Sequence, residues 1–290
     1  MSAGAVPGRA SRARHGLEVL GPADLAEVTE FLDAQPDVDV FVASRVEASG
    51  LEPRRLGGQL WGYWRAGELT GLCYSGANLV PVRADNEAGS AFAHRAAGRP
   101  RRCSSVVGRA HDVLRMWSIL SPAWGQAREV RQCQPVLTIS EAPHAIPDPW
   151  VRPVASSELD ALLPAAIAMF TEEVGVSPVG SDGATFYRAR MSELVRAGRS
   201  FARFEDGEVV FKADVGSVSR QACQVQGVWV HPARRGQGLA TPGMAAVVEL
   251  ARARIAPVVS LYVNDFNAPA RATYQRVGFT EVDTFATVLF

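Results

Sequence analysis

The chain has 290 residues, room for two domains of ordinary size, and its 47% hydrophobic and 21% charged residues are a globular composition, not a disordered one. Its 30 basic side chains balance 30 acidic ones, so the positive surplus that drives nucleic-acid binding is missing, and no nucleic-acid partner is expected. Four cysteines (Cys73, Cys103, Cys133, Cys223), with no CxxC pair and no histidine cluster, argue against a zinc site or disulfide framework and fit reduced thiols in the cytoplasm.

The opening MSAGAVPGRASRARHG is basic but has no apolar run, so residues 1–15 read as a disordered leader and not a signal peptide. No stretch approaches the ~18 apolar residues that span a bilayer, so the chain reads as soluble and intracellular, with no membrane partner. LEVLGPADLAEVTEFLDAQ predicts a short strand, then an amphipathic helix with Leu25, Val28, Phe31 and Leu32 at helical spacing. QLWGYWRAGELTGLCYSGANLVPV predicts two strands joined at Ala66-Gly67, with Trp61 and Tyr63 sharing a core face. SSVVG is a further strand, and AHDVLRMWSILSPAW a helix.

ISEAPHAIPDPWVRPV, Ile139 to Val154, carries four prolines, which forbid both a helix interior and a central strand. This break suggests a first domain over residues 16–140, a proline-rich linker over 141–149 and a second domain over 150–290. WVRPVASSELDALLPAAIAMFTEE predicts a strand and a helix with Ser156 or Ser157 as N-cap. FYRARMSELVRAGRS predicts a second helix, and SFARFEDGEVVFKADVGSVS a hairpin about Asp206-Gly207. ACQVQGVWVHP is a long strand, followed after two glycines by a helix with Met244, Val247, Val248, Ala251 and Ile255 on one face. VVSLYVN is a buried strand, Asn267 to Val277 a helix, and FTEVDTFATVLF a closing hairpin. Both halves open strand, helix, helix, hairpin: a weak internal repeat of elements, giving two α/β domains of related build.

The turn VHPARRGQGLA, between strand and helix, is built to hold an anion. Arg235, Gly236, Gln237, Gly238, Leu239, Ala240 and Thr241 can turn backbone N–H groups inward, since glycine has no Cβ to obstruct a ligand. A helix N-terminus adds unpaired donors and partial positive charge, and Arg234 and Arg235 add fixed charge, a combination suited to a pyrophosphate. The bland alternative is an ordinary turn with solvated arginines. A nucleotide P-loop is excluded because no Gly-Lys-Ser/Thr follows, and a dinucleotide fingerprint because Thr241 stands where the third glycine belongs.

These residues resemble the GNAT N-acetyltransferase superfamily. Arg235, Gly238 and Ala240 match its acyl-CoA-binding pattern Gln/Arg-x-x-Gly-x-Gly/Ala, and Asn267, Ala270, Tyr274, Gly278 and Phe279 match its second motif. The likeness covers Val225 to Phe279 and extends through the preceding elements to about Trp150. The first half lacks both motifs and looks like the degenerate partner of tandem GNAT proteins such as mycothiol synthase. The fold class implied is a mixed α/β sheet: a C-terminal GNAT acyltransferase fold preceded by a related GNAT-like domain.

The resemblance implies acetyl-CoA (coenzyme A) as cofactor and direct transfer of acetyl to a primary amine, on a small molecule or peptide, in a ternary complex. It places Tyr274 as the general acid that protonates the leaving thiolate. Asn267 and Ala270 contact the cofactor, Trp229 packs or lines its groove, Val228 and Val230 pair with the pantetheine arm, and a backbone N–H near Val228 meets the oxyanion. One departure stands out. Many family members carry a glutamate where this chain has Gln226, which cannot act as a base. Glu173, Glu172 and Asp214 are then the candidate carboxylates, Glu173 first, each also readable as a solvated or turn residue. No cysteine lies in either motif, so a ping-pong route has no obvious nucleophile. A non-catalytic acyl-CoA-binding sensor stays open as the alternative; the chain is expected to be a monomer or homodimer.

Overall fold

A computed structural model describes residues 14–179 and 183–290. The expected leader lies outside the described residues except for Arg14 and His15; Arg14 bridges Glu18 and Asp24. The chain divides into two compact units. The first comprises Met1–Phe31, Ala48–Gln132 and Phe285–Phe290, and the second Leu32–Glu47 and Cys133–Thr284.

The elements run β1 (Gly16–Val19), α1 (Leu25–Asp33), α2 (Val40–Ser49), α3 (Pro53–Leu56), β2 (Gln59–Arg65), β3 (Glu68–Ser75), β4 (Asn78–Val82), α4 (Asn86–Ala97), β5 (Ser105–Arg109), α5 (Ala110–Trp124) and β6 (Glu129–Ile139). They continue with β7 (Arg152–Pro153), α6 (Leu159–Val174), α7 (Gly183–Arg196), β8 (Ser200–Glu205), β9 (Glu208–Val218), β10 (Ala222–Val230), α8 (Ala240–Arg254), β11 (Val258–Tyr262), α9 (Ala268–Val277) and β12 (Thr280–Leu289). Apart from the short α3, the order strand, two helices, three strands, helix, strand, helix, strand occurs twice. The internal repeat of elements is therefore fuller than the shared opening suggests.

In the first unit β1, β2, β3 and β4 pair antiparallel, β4 and β5 parallel, and the end of β12 antiparallel to β5. The two-residue turn between β2 and β3 has Ala66 and Gly67 both left-handed, the twist that a tight hairpin favours. Trp61, Phe92, Val106, Met116 and Ala286 form one core cluster with α4 and α5. QLWGYWRAGELTGLCYSGANLVPV holds three strands, not two, because the chain reverses again at Gly76 and Ala77. Helix α4 had no counterpart in the sequence reading. Its buried face is Ala88, Gly89, Phe92, Ala93 and Ala96, mostly small residues that give only a weak apolar stripe.

In the second unit the sheet runs β7, β8, β9, β10, β11, β6, all antiparallel except the β10–β11 pair. Alternation puts Phe201, Phe211, Ala213, Val215, Cys223, Val225, Val259 and Leu261 on one face against Met244, Val247, Val248 and Val277 of α8 and α9. The opposite face packs Ala202, Val209 and Trp229 against Leu162, Ala166, Met191 and Leu194 of α6 and α7.

Two local expectations are corrected. Ser156 and Ser157 lie inside a 3-10 turn instead of capping α6, and the Glu158 carboxylate there accepts from the Ala155 N–H at 2.9 Å. β12 is one continuous strand, not a hairpin, since Asp283 sits within it. The helix after the glycines begins at Ala240, leaving Gly238 in the turn.

Candidate functional site

The site grows from one irregularity in β10. Gln226 pairs with Asp214 and Trp229 with Lys212, so β10 carries one residue more than β9 over this step: a β-bulge. Gly227 sits in it at φ +61°, and a Cβ there would stand 2.9 Å from Met169 Cε and 3.2 Å from both Asp214 Oδ2 and Lys212 Nζ. Only glycine meets both the left-handed backbone and the crowding. On the other edge, β10 and β11 pair in parallel from Ala222↔Val258 to Gln224↔Ser260, and no further pair joins them among the described residues. The backbone of Val228 and Val230 therefore lies past the point where the two strands stop pairing.

At the C-terminal end of β10 the chain enters the glycine turn. Gly236 and Gly238 take φ +75° and +80°, and a Cβ on either would meet no atom within 4 Å. Leu239 precedes α8 and offers no side-chain cap, so the first N–H groups of the helix, those of Ala240 and Thr241, receive no capping side chain. Open space, left-handed glycines and an uncapped helix start fit a diphosphate. Arg235 donates to the Val230 carbonyl at 3.1 Å and to Glu172 Oε2 at 2.6 Å. Arg234 is paired with Glu205, which also holds Arg203, itself bonded to Asp148. Gln237 donates to the Ala233 carbonyl at 3.2 Å.

Tyr274 lies on α9, buried, in edge contact with Phe279. Asn267 caps this helix through a 3.2 Å bond from the Ala270 N–H, and Gly278 ends it in the left-handed conformation. Burial, and then the charge of Glu173, push the Tyr274 phenol well above the ordinary tyrosine range. Glu173 accepts from Asn264 Nδ2 at 3.2 Å, and Asn264 Oδ1 accepts from Gln134 Nε2 at 2.8 Å. Glu172 and Glu173 stand on the last turn of α6. Glu172 also accepts from the Trp229 indole at 3.2 Å.

Asp214 occupies a different environment. It is buried, with Oδ2 against Lys212 Nζ at 2.6 Å and Oδ1 accepting from Ser200 Oγ at 2.6 Å. Lys212 Nζ donates in turn to the Gly227 carbonyl at 2.9 Å. Gln226 is exposed and lies over Gly216, where a Cβ would come within 2.3 Å of its Oε1. The four cysteines are free, and burial raises the Cys223 thiol to about 12.

Residues 166–279 match the model of the acetyltransferase (GNAT) family. The C-terminal part of the chain is a GNAT domain. Residues 58–162 match a domain of unknown function, DUF4081. No curated protein matches the chain in sequence. Among solved structures it is similar in fold to a GNAT-family acetyltransferase from Colwellia psychrerythraea, at TM-score 0.55 and 12% identity over 94% of this chain and 99% of that one. A tandem GNAT protein from the clavulanic acid biosynthesis pathway gives 0.56 and 14% over 94% and 98%. A GCN5-related N-acetyltransferase from Sphaerobacter thermophilus gives 0.55 and 17% over 93% of both chains.

Within the GNAT domain the structure brings together residues that the sequence kept apart. Glu173 and Tyr274 interact electrostatically, and Glu172 meets Arg235 of the glycine turn. Sequence reasoning passed over Gly227, Asn264, Gln134, Ser200 and the role of Lys212. A glycine interrupting the strand ACQVQGVWV was the one available signal, since an isolated strand glycine often marks a bulge. Among the described residues no helix is long and apolar enough to cross a membrane.

Proposed function

We propose that the chain is an acetyl-CoA-dependent N-acetyltransferase that passes an acetyl group directly to a primary amine in a ternary complex. The observation that carries this reading is the open glycine turn ahead of α8, where two left-handed glycines and an uncapped helix start leave donors for a diphosphate. Bound there, the cofactor supplies an activated thioester. Backbone groups of Val228 and Val230 align the pantetheine arm, and Thr241, Leu239 and Ala240 belong to the cradle. The Val228 N–H donates to the developing oxyanion, and the buried Tyr274 hydroxyl gives its proton to the leaving sulfur. Asn267 serves mainly by capping α9, which sets the pitch of Tyr274.

The proton of the attacking ammonium goes to Glu173, held by Asn264, directly or through water. Asp214 is assigned a supporting role instead, because Lys212 and Ser200 occupy its two oxygens. Direct transfer suits the thiols: Cys223 faces the α8 side of the sheet with its pKa raised, a poor nucleophile. The first unit, with its matching order of elements, is proposed as a degenerate partner of the same build.

A second reading, a non-catalytic acyl-CoA sensor, draws on Gln226, a neutral amide where many family members have a base. Calorimetry with acetyl-CoA, followed by single-turnover release of free coenzyme A in the presence of amine mixtures, tests both. Binding with release supports the enzyme, binding without release supports the sensor, and no binding removes both.

A further inference from the structure

We infer that Lys212 is a positioning residue that orients and polarises the peptide between Gly227 and Val228. This rests on the proposed role of the Val228 N–H as oxyanion donor and extends it. A trans peptide is planar, and its carbonyl and N–H point in opposite directions. Lys212 Nζ holds the Gly227 carbonyl at 2.9 Å, so the Val228 N–H of the same peptide points away from Lys212. Among the described residues Val228 has no register partner on β9, and the pairs that β10 makes with β11 end at Gln224, so this N–H lies outside both sets of pairs.

The arrangement is expensive to build. Lys212 is 0% exposed, Asp214 2% and Ser200 0%, and a buried charge is costly unless it is fully partnered. The ion pair of 2.6 Å and the Ser200 hydroxyl meet that requirement. An ion pair alone would explain Lys212 and Asp214 as a structural dyad. It does not explain why the second partner of the ammonium is a carbonyl in the bulge, at the one residue whose backbone is left-handed in this strand. A cation on a carbonyl oxygen draws electron density from the amide and strengthens its N–H as a donor. Because the peptide is held before any ligand arrives, the donor needs no reorganisation during reaction, the condition under which such groups stabilise a transition state best.

The test uses the full chain and acetyl-CoA carrying heavy carbon at the thioester carbonyl, whose infrared band moves to lower frequency as its hydrogen bond strengthens. No acceptor amine is needed. The unmodified protein is expected to shift this band on binding. Lys212→Met is expected to lose at least half of that shift while binding acetyl-CoA within a few-fold of the unmodified chain. Lys212→Met/Asp214→Leu, which leaves no unpaired buried charge, repeats the measurement in a background without the dyad. A full shift retained in either folded variant overturns the inference, as does a folded variant that no longer binds, which would make Lys212 a shaper of the cleft. If neither variant folds, scalar coupling across the hydrogen bond from Lys212 Nζ to the Gly227 carbonyl carbon decides it in the unmodified protein, and its absence overturns it. An unmodified protein that fails to bind, or binds with no band shift, overturns instead the oxyanion reading on which this one rests.

Discussion

Glu172 Oε2 and Arg235 Nη2 lie 2.6 Å apart, tying the last turn of α6 to the glycine turn after β10. Both side chains are about half exposed, so the pair adds little to stability. Its consequence is for anion binding: a carboxylate sits on the guanidinium that a diphosphate would engage. Glu172→Gln is expected to tighten coenzyme A binding a few-fold, with a smaller effect at high salt, and to leave the melting temperature nearly unchanged. Titration calorimetry at two ionic strengths checks this; weaker binding would mean that Glu172 preorganises Arg235 rather than competing for it.

Gly238→Val is expected to weaken coenzyme A binding by more than ten-fold, or about 1.4 kcal/mol. The valine meets no protein atom, since the position is open, but φ +80° disfavours it and its branches fill the approach to the turn. A dissociation constant close to that of the unmodified chain would remove the cradle.

Gly227→Ala places a Cβ 2.9 Å from Met169 Cε at φ +61°. A strain of about 1–2 kcal/mol is expected from the left-handed backbone alone. The bulge would then relax, and turnover should fall by a larger factor than stability does. Thermal melts and single-turnover rates measured side by side distinguish this from general destabilisation.

Tyr274→Phe should lower turnover by roughly 10²-fold, the scale of general acid catalysis, with acetyl-CoA affinity kept within a few-fold. The pH profile gives a second check. Burial raises the phenol pKa, so Tyr274 keeps its proton through ~10, where an ordinary tyrosine titrates. Its loss should therefore contribute no alkaline limb below that pH. The same shift means that the folded state favours the neutral phenol, so this contribution to stability is present below ~10 and is lost as pH rises above it. An alkaline limb below pH 10 that disappears in Tyr274→Phe would contradict the assignment.

The first unit should bind no coenzyme A. The N-terminus of α4 is closed by Asp85, whose carboxylate accepts from the Glu87 and Ala88 N–H groups at 3.0 and 2.9 Å and also meets Arg65. A carboxylate already occupies the place of an anion, whereas α8 has no side-chain cap. Calorimetry is expected to give one coenzyme A per chain; a stoichiometry of two would overturn this.

Much of the GNAT domain was legible in the chain itself, because its signals are local. Gly236, Gly238, Asn267 and Gly278 each answer a backbone or capping demand met within a few residues, and the Asp206-Gly207 hairpin follows directly from turn chemistry. Helices α2 and α4 were harder. In α2 the valines at 38, 40 and 42 alternate as a strand would, and only packing makes Val40, Val42, Ala43 and Val46 a buried helical face. In α4 the buried residues are mostly alanine, which carries little pattern.

What the sequence determined by itself was the order of most elements, the glycine turn and the two motifs, since these depend on spacing along one segment. Only the tertiary structure decided the fates of the carboxylates. Whether Asp214 is a free base or a buried ion-pair partner depends on Lys212 two residues away and Ser200 on the neighbouring strand. Whether Glu173 bears on Tyr274 depends on where α6 ends relative to α9. Charge and hydrogen bonding act through space, and neighbours in space are set by register and packing, which no single stretch of chain records.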